Sequence, residues 1–386
     1  MIYLDYNAST PMAPKVKEAM ILAWEQYGNP SGTHSSGRSA EVLFENAREL
    51  IAAGLRVNPL EVILTSGSTE ALTIALWGQI LGAPVSRSKV LVSAIEHEAV
   101  LATAKIACKV ANKELVIIPI VGRAELLQVG QVDLDFISDN ISADVALIAV
   151  MAVNNETGII QPIKKVSELA EKFDVPFLCD STQAIGKQEY FSLDIPAMFT
   201  VSGHKIYGPK GSGALVLNRD LQKKLVAIAP GGGQERGIRG GTLNVASAVG
   251  LATALQFAQA DLHREMLRQE KLRDTLLTAL DTIFPDSLTS NSGVPIFCLK
   301  NTLNIRFHDA SSDAVLTSMA KVVASRASAC SAGVEEPSHV LLAMGMTSRE
   351  AEESIRFSLG RFTTLEEIYA AVEDVSSAVA RVRALS

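Results

Sequence analysis

The stretch Val62-Ile63-Leu64-Thr65-Ser66-Gly67-Ser68-Thr69-Glu70 decides the fold of this 386-residue chain. The β-branched run over 61–65 predicts a short strand, and the spacing from Ala71 to Leu81 predicts a helix after a small polar turn. This order brings free backbone N–H groups and the positive end of a helix together, which suits a phosphate group. The turn is therefore a candidate phosphate site.

The same order of strand, polar turn and helix recurs along the chain. Further strands are predicted at 90–95, 115–120, 145–153, 176–179, 198–202 and 213–217. Because these runs are continuously apolar, they indicate a mostly parallel, seven-stranded sheet with helices on both faces, an α/β fold. Ligands of such sheets bind beyond the carboxyl ends of the strands, and the polar clusters of this chain follow its strands.

A second polar turn, Ser202-Gly203-His204-Lys205, follows one of these strands. A lysine amine bonds covalently to a carbonyl carbon when its surroundings keep it deprotonated, and Ser202 and His204 are suited to hold an anion beside it. Alone, the pattern is weak, because a lysine beside a glycine-rich turn is more often a solvated loop residue. The other strand-end clusters favour the functional interpretation.

Charge and composition narrow the class of ligand and the compartment. The formal net charge is -7, which argues against direct binding of nucleic acid because phosphate backbones select basic surfaces. The first residues lack the regions of a signal peptide, and the longest apolar run, 145–153, is too short to cross a bilayer. The cysteines lack CxxC spacing and the histidines form no HExxH pattern, so no metal site is expected. We expect a cytoplasmic enzyme with no membrane partner.

The chain divides into two predicted domains. Residues 15–258 form a large α/β domain, and residues 1–14 together with 259–386 form a smaller α+β domain. A glycine-rich loop, 231–242, closes the sheet region. One long helix through about Glu270 is predicted to lead into the second domain.

The small domain is predicted from local patterns. Strands are expected at 303–307 and 354–358, and a loop of small residues over 325–333 carries Cys330. The chain ends in an amphipathic helix, opened by the capping box Thr364-Leu365-Glu366-Glu367.

The motifs occur in the order found in cysteine desulfurases, and the chain resembles that family over nearly its whole length. These are fold-type I, class V enzymes of the NifS/IscS-like group, which use pyridoxal 5′-phosphate. The matching blocks are Tyr3–Ala8, Thr65–Glu70, Glu96-His97, Val153–Gly158, Asp180–Gln183, Ser202–Lys205, Arg236–Thr242 and Ser354–Thr363. The resemblance implies a sulfurtransferase that converts L-cysteine to L-alanine.

The resemblance also implies roles at the cofactor. Lys205 is expected to bind the cofactor covalently and to move protons at the substrate carbon, and Asp180 to keep the pyridine nitrogen protonated. His97 is expected to stack on the ring and to transfer protons. Further contacts are expected from Asn155 and Gln183 at the ring hydroxyl, and from Ser68, Thr69, Ser202 and His204 at the phosphate.

Other residues are assigned to the substrate, the partner subunit and sulfur transfer. Arg356, with Asn155, is expected to bind the substrate carboxylate as a planar fork. Thr242 resembles the residue that reaches the phosphate of the partner subunit, which implies a homodimer with shared active sites. Cys330 is expected to attack the substrate sulfur as a thiolate and to carry it as a persulfide to acceptor proteins. Inert buried thiols are expected at Cys108, Cys179 and Cys298.

Two segments depart from the family pattern. Ser325-Arg326-Ala327-Ser328-Ala329-Cys330 has Arg326 and Ala327 where serine and glycine are usual, and Arg239-Gly240-Gly241-Thr242 replaces Arg-Ser-Gly-Thr. Arg326 would lower the pKa of the Cys330 thiol if it pointed inward. Neither change removes a reacting group, but both leave the sulfur acceptor open among iron–sulfur cluster assembly, tRNA thiolation and DNA phosphorothioation.

Two other functions stay open on the sequence. One is another fold-type I activity, an aminotransferase or a selenocysteine lyase; an aminotransferase would not need Cys330. The other is a catalytically silent scaffold that binds the cofactor and organises partners. The presence of all the assigned reacting residues together argues against the scaffold.

Overall fold

The computed structural model of the protein describes residues 1–122, 128–189, 198–293, 295–326 and 336–385. The strands, in chain order, are β1 (Ile2–Tyr3), β2 (Val62–Thr65), β3 (Lys89–Ser93), β4 (Glu114–Ile118), β5 (Val145–Ala149), β6 (Phe177–Cys179), β7 (Met198–Ser202), β8 (Gly213–Leu217), β9 (Leu288–Ser290), β10 (Thr302–Phe307), β11 (Val322–Val323), β12 (Ser325–Arg326) and β13 (Ser354–Ser358). The α-helices are α1 (Pro14–Trp24), α2 (Ser35–Leu55), α3 (Ser68–Gly82), α4 (Glu98–Ala111), α5 (Leu134–Asn140), α6 (Ile163–Lys172), α7 (Arg219–Gln222), α8 (Val245–Gln259), α9 (Leu262–Ile283), α10 (Ser312–Ser318), α11 (His339–Ala343), α12 (Ser348–Glu352) and α13 (Leu365–Leu385).

The central sheet has seven strands in the described part of the chain, in the spatial order β2-β8-β7-β6-β5-β3-β4. Strands β3 to β7 pair in parallel, and β8 is antiparallel to both β7 and β2. The prediction of a mostly parallel seven-stranded sheet is confirmed. Strand β5 ends four residues before the predicted end at Val153. Val150 and Ala152 still donate backbone hydrogen bonds to Leu178 and Asp180, and Val153 pairs with Ile160 in an isolated bridge.

Helices cover both faces of the sheet, as predicted. On one face Leu72 of α3 belongs to an apolar cluster with Leu147 of β5. On the other face Phe44 of α2 and Leu251 of α8 form a second cluster with Phe199 of β7. With both faces covered by apolar side chains, the strand ends are the part of the sheet left for polar side chains. Within the described residues, no helix is both long and apolar enough to span a membrane.

The end of the chain and its first residues share a separate apolar cluster. Strands β12, β13, β10 and β9 form an antiparallel sheet, and α9 and α13 pack in the same cluster, together with Ile2 and Leu4. Strand β1 pairs in parallel with β11. The division into residues 15–258 and a small domain of 1–14 with 259–386 stays a proposal, since Tyr6 and Ala13 pack in the cluster of the central sheet. Helix α11 instead packs in the cluster of the large domain.

One predicted helix is divided in two. The sequence predicts a single helix through Glu270, but the structure has α8 and α9 with a break at Ala260 and Asp261. Asp261 has a left-handed backbone with a φ of 52°, which a right-handed helix does not contain. The predicted capping box of α13 is confirmed, since Thr364 and Glu367 exchange hydrogen bonds of 3.1 and 3.2 Å.

A buried ion pair fixes the glycine-rich loop 231–242 to the large domain. Arg48 of α2 donates hydrogen bonds of 2.9 and 2.6 Å to Glu235, and their side chains are 4% and 1% exposed. Glu235 also accepts a hydrogen bond of 2.7 Å from the backbone N–H of Leu64 in β2. The loop that carries Thr242 is therefore attached to an edge strand of the central sheet.

Replacing Arg48 by methionine should lower the free energy of unfolding by about 3–5 kcal/mol, because the Glu235 carboxylate would stay buried without its partner. Urea unfolding followed by circular dichroism measures the loss. Lys223→Met is a matched control, since the side chains of the Lys223–Asp220 pair are 75% and 82% exposed, and it should cost less than about 1 kcal/mol. Equally small losses in both variants would contradict a stabilising role for the buried pair.

Candidate active site

The polar turns that follow the strands meet at one edge of the central sheet. Thr65 of β2 and Ser202 of β7 both pair with Gly213 of β8, so the turns after β2 and β7 lie side by side. Asp180 follows the neighbouring strand β6, and His97 follows shortly after β3. Parallel strands bring their carboxyl ends to the same edge, and the predicted site residues of the large domain are collected there for that reason.

Helix α3 begins at this edge without a side-chain cap. Its N-cap residue is Gly67, so the N–H groups of its first turn, which starts at Ser68 and Thr69, receive no acceptor from the capping residue. A Cβ atom on Gly67 would lie 4.0 Å from Ser202 Oγ, which places Ser202 beside the start of the helix. The helix end and these hydroxyl residues together make an anion site suited to phosphate.

His204 lies in the 3₁₀ turn that follows β7. Its Nδ1 is 3.3 Å from Ser9 Oγ. Burial, followed by the positive charges of Lys205, Lys187 and Lys210, lowers the pKa of His204 to about 4. The ring is therefore neutral near pH 7 and has one N–H to donate.

Lys205 ends the same 3₁₀ turn, and its amine faces the N-terminal segment. Its Nζ donates hydrogen bonds of 2.6 Å to the backbone oxygen of Asn7 and 2.9 Å to that of Ala8. Burial, followed by the positive charge of Arg356, lowers the pKa of Lys205 to about 8. A much larger fraction of this amine is neutral near pH 7 than of an exposed lysine, so it can act as a nucleophile or a base.

Asp180 and His97 approach the lysine from two other strands. Asp180 Oδ1 accepts hydrogen bonds of 3.0 Å from the Thr182 N–H and from the Thr200 hydroxyl, which orient the carboxylate. His97 caps α4, with its Nδ1 accepting a hydrogen bond of 3.1 Å from the Ala99 N–H. Burial is the main cause that lowers the pKa of His97. The neutral ring then carries its proton on Nε2.

The predicted amides, Gln183 and Asn155, lie on the turns after β6 and β5. Gln183 Nε2 donates a hydrogen bond of 2.9 Å to the backbone oxygen of Asn7. Asn155 is held by its neighbour Asn154, whose Oδ1 accepts hydrogen bonds of 3.0 Å from the N–H groups two and three residues further on. Such an Asx turn fixes the backbone after a strand.

Arg356 lies in the same site, although it belongs to strand β13 of the four-stranded antiparallel sheet. Its side chain is 5% exposed, with Nη2 donating a hydrogen bond of 2.6 Å to Asp5 and Nη1 one of 3.0 Å to the backbone oxygen of Asn155. Its Nε is buried and has no hydrogen-bond partner within the part of the chain that the structure describes. A buried donor without an acceptor costs free energy, so a ligand carboxylate at this nitrogen would be stabilising.

One predicted residue, Thr242, is not joined to this cluster by any contact given above, and another, Cys330, is not among the described residues. Thr242 is exposed before α8 and lines, with Arg239, a cavity of about 210 Å³ beside the turn after β2. Cys330 and its neighbours 327–335 lie outside the described residues. Arg326, at the start of that segment, pairs with Asp313 at 3.0 Å between Nη1 and Oδ2, so its charge is directed to a carboxylate.

The cysteines within the described residues are buried thiols, as predicted. Burial raises the pKa of Cys108 to about 11 and that of Cys298 to about 12. Burial also raises the pKa of Cys179 well above its usual value. Thiols with such high pKa values form little thiolate near pH 7 and are poor nucleophiles.

Sequence reasoning missed residues that support the site. Asp5 and Asn7 belong to a sequence block that carries the family resemblance, but no role was predicted for them. The sequence did offer one signal, since these two polar residues occur in a mostly apolar N-terminal segment. Lys187 follows Gln183 by four residues, a spacing at which side chains on a helical turn meet. Glu96 precedes His97, and nothing in the sequence indicates that its carboxyl is buried.

Glu96 is a buried carboxyl at the end of β3. Its Oε1 accepts a hydrogen bond of 2.6 Å from the Met151 N–H, and its Oε2 has no hydrogen-bond partner among the residues described. Burial, the largest cause, raises the pKa of Glu96 to about 8 against the opposing effect of the Met151 hydrogen bond. A protonated Glu96 adds no negative charge to this part of the site.

Glu96→Gln should make stability less dependent on pH. The folded protein keeps a proton on Glu96 up to about pH 8, whereas the unfolded chain releases it near the model-peptide pKa of 4.5. The unfolding free energy of the unmodified protein should therefore fall as pH rises from about 4.5 to 8, and glutamine should remove roughly 1–3 kcal/mol of that fall. Urea unfolding at pH 5 and pH 8 measures it, with the exposed neighbour Glu98→Gln as control. An identical pH dependence in Glu96→Gln and the unmodified protein would show that Glu96 does not titrate in this way.

The chain matches known proteins over its whole length. The aminotransferase class-V family model matches residues 2–370. A cysteine desulfurase of Frankia sp. (strain EuIK1) is 42% identical, and the match covers 100% of this chain and 93% of the relative. Among solved structures, a NifS-like protein has a TM-score of 0.88 at 30% identity and covers 98% of this chain and 99% of its own. The structure of SspA in complex with cysteine has a TM-score of 0.77 at 31% identity, with coverage of 94% and 100%.

The fold and the relatives define a fold-type I enzyme that uses pyridoxal 5′-phosphate, and the donor set of the site fits that cofactor. A lysine amine with a lowered pKa, an oriented Asp180 carboxylate and an uncapped helix start suit its aldehyde, its ring nitrogen and its phosphate. The chain belongs to the class-V aminotransferase family.

Proposed function

We propose that the protein is an L-cysteine desulfurase, which converts L-cysteine to L-alanine and passes the sulfur to acceptor proteins. The observation that carries the proposal is Arg356, whose buried Nε lacks a partner among the described residues and whose charge lowers the pKa of Lys205. A small amino acid, with its carboxylate and amine on one carbon, can reach both groups. The similarity to a cysteine desulfurase and to a protein bound to cysteine supports cysteine as that amino acid.

The cofactor residues are proposed as the resemblance assigns them. When bound, pyridoxal 5′-phosphate supplies an electron-accepting ring next to the α carbon of the substrate. The residues that would hold it are Lys205 at the aldehyde carbon, Asp180 at the ring nitrogen, Gln183 and Asn155 at the ring hydroxyl, His97 at the ring face, and Ser68, Thr69, Ser202 and His204 at the phosphate.

Substrate positioning falls to Arg356. Asp5 and the backbone oxygen of Asn155 already hold its guanidinium, so little reorganisation is needed when a carboxylate binds. The bound carboxylate directs the α carbon towards Lys205, which accepts the α proton as a base because its pKa is lowered to about 8. His97, with its proton on Nε2, is a second group for proton transfer.

Sulfur transfer is assigned to Cys330. Its thiolate attacks the substrate sulfur, so that an S–S bond forms while the C–S bond breaks. The electron pair of the C–S bond stays with the carbon fragment, which takes up a proton and becomes alanine. The products are alanine and a Cys330 persulfide, and no external oxidant is consumed. The high pKa values of Cys108 and Cys298 support a nucleophile other than these buried thiols.

The purified, cofactor-loaded protein should form alanine from L-cysteine, and sulfide when a thiol reductant is present. Cys330→Ser should lower both rates by at least about 100-fold, because the sulfur nucleophile is removed. Cys108→Ser, a change at a buried thiol, is the control and should retain the activity of the unmodified protein.

Three results would contradict this function. Unchanged turnover in Cys330→Ser would favour an aminotransferase. A much higher rate with selenocysteine than with cysteine would favour a selenocysteine lyase. Full cofactor loading without alanine formation would favour a scaffold.

We also propose a homodimer with shared active sites. Thr242 is exposed, and its loop is fixed by the buried Arg48–Glu235 pair, so it is available to a neighbouring subunit. At the end of α1 and just beyond it, Leu22, Trp24 and Tyr27 are 65%, 64% and 89% exposed. Burial of such apolar side chains against a second copy would stabilise a dimer.

Mixed dimers of a Lys205→Ala chain and a Thr242→Glu chain should regain about half of the activity of the unmodified protein. In the mixed dimer one site combines an intact lysine with an intact threonine from the other subunit, whereas a glutamate would repel the phosphate in the second site. Chains carrying two different tags allow the mixed dimer to be purified and assayed for alanine. A mixed dimer as inactive as the two parent dimers would place Thr242 in the site of its own subunit.

The sulfur acceptor and the cellular compartment are the last two parts of the proposal. We propose a cytoplasmic enzyme that delivers sulfur mainly to iron–sulfur cluster assembly, with tRNA thiolation and DNA phosphorothioation as the alternatives. The free thiols among the described cysteines suit a reducing compartment. A net charge of -7 supports delivery to an acceptor protein and not directly to nucleic acid.

A further inference from the structure

A second lysine amine lies in the same hydrogen-bond network as Lys205 and has no role in the function proposed above. Lys187 Nζ donates hydrogen bonds of 3.1 Å to Asn7 Oδ1 and 2.5 Å to Gln183 Oε1. Part of the residue stays exposed, but burial of its amine, followed by the positive charges of Lys205 and Arg356, holds the pKa of Lys187 well below its usual value. Burial beside Lys205 and Arg356 makes the charged form of this amine unfavourable in free energy.

The direction of these hydrogen bonds determines the orientation of the Gln183 amide. An amine donates to an amide oxygen, so Oε1 is the end of Gln183 that faces Lys187. The Nε2 end consequently faces the other way, towards the backbone oxygen of Asn7 at 2.9 Å. The same oxygen accepts a hydrogen bond from Lys205 Nζ at 2.6 Å. The donor end of Gln183 and the reactive amine therefore converge on one atom.

The Asn7 side chain is oriented in the same way. Its Oδ1 faces Lys187, and its Nδ2 donates hydrogen bonds of 2.8 Å to Thr302 Oγ1 and 3.2 Å to the backbone oxygen of Asn155. Asn7 is 1% exposed and Gln183 is 4% exposed, so water does not compete for either amide. Lys187 thus supports the orientation of both buried amides, together with the Asn7 backbone oxygen for Gln183 and with Asn301 Nδ2, 3.4 Å from Oδ1, for Asn7.

We propose that Lys187 is a positioning residue that acts through Gln183, orienting this amide so that Nε2 presents an N–H to the ring oxygen of bound pyridoxal 5′-phosphate. The inference rests on the proposed place of Gln183 at that oxygen. A donor stabilises the ring oxygen as an anion. Without Lys187, Oε1 loses its donor and the amide is held by the Asn7 oxygen alone, so its N–H is directed less firmly at the ring oxygen and stabilises the anion less.

Loss of the Lys187 amine should therefore change the protonation of the cofactor site. Weaker stabilisation of the anionic ring oxygen favours retention of a proton at the Lys205 nitrogen beside it. The other titratable or charged groups that interact with Lys205 or Lys187 are Asp5, His97, Asp180, His204 and Arg356. Of these groups, His204 is the one whose pKa Lys187 itself lowers, so the contribution of Gln183 must be separated from it by a second substitution.

The test compares Lys187→Met with Lys113→Met. Lys113 Nζ also donates hydrogen bonds to two carbonyl oxygens, those of Pro84 and Arg87, but it precedes β4 and not the cofactor turn. In Lys187→Met, the pH midpoint of the bound-cofactor absorbance should rise by about one unit, and cofactor affinity should fall roughly threefold to tenfold. Lys113→Met should match the unmodified protein. A Lys187→Met protein with an unchanged midpoint and unchanged affinity would overturn the proposal.

A double-substitution cycle tests whether Lys187 acts through Gln183. In a Gln183→Ala background, Lys187→Met should add little to the shift of the midpoint, whereas full additivity would overturn the proposal. Lys187→Arg keeps N–H donors and should shift the midpoint less than methionine does. An arginine variant as impaired as the methionine variant, with both folded by circular dichroism, would assign the effect to packing and would also overturn it. These readouts are cofactor spectra and cofactor binding, so a failure to form alanine would contradict the proposed function and not this inference.

Discussion

The site depends on the balance of buried charge around one amine. Lys187, Lys205 and Arg356 are three basic groups close enough for the charge of one to disfavour protonation of another, and Asp5 and Asp180 act on Lys205 in the opposite direction. Burial is the largest cause that lowers the pKa of Lys205, and Arg356 adds to it, whereas the two carboxylates act in the opposite direction. A lysine that can lose its proton near neutral pH is the result of this balance. Strand β13, the N-terminal segment and the turn after β6 position the groups that produce this balance, which are Arg356, Asp5 and Asp180.

The N-terminal segment connects these groups. The backbone oxygen of Asn7 accepts hydrogen bonds from Lys205 and Gln183, and its side chain accepts one from Lys187. Its Nδ2 donates to Thr302 in the small domain. Asn7 therefore links the turns after β6 and β7 to strand β10.

The fold was predictable from the sequence because its signal is local. Continuous apolar strands that alternate with helices indicate a parallel sheet, and such a sheet collects the polar turns at one edge. The break at Asp261 was not predictable, since neither glycine nor proline marks it. The partners of Lys187 and Glu96 were not predictable either, because they come from other segments of the chain and their burial follows from tertiary packing. Cys330 stays a prediction, since it lies outside the described residues.

The pairing of residues 2–5 with residues 322–358 has a consequence for folding during synthesis. Strand β1 pairs with β11, and Asp5 forms a bridge with Ser358 and an ion pair with Arg356. Contacts between such distant segments form late, because the intervening chain must first be made and ordered. Residues 2–5 can form these contacts only after residues 322–358 have been synthesised. On a nascent chain the strands of the central sheet can pair earlier, but Lys205 acquires the neighbouring Asp5–Arg356 pair only after residue 356 has been made.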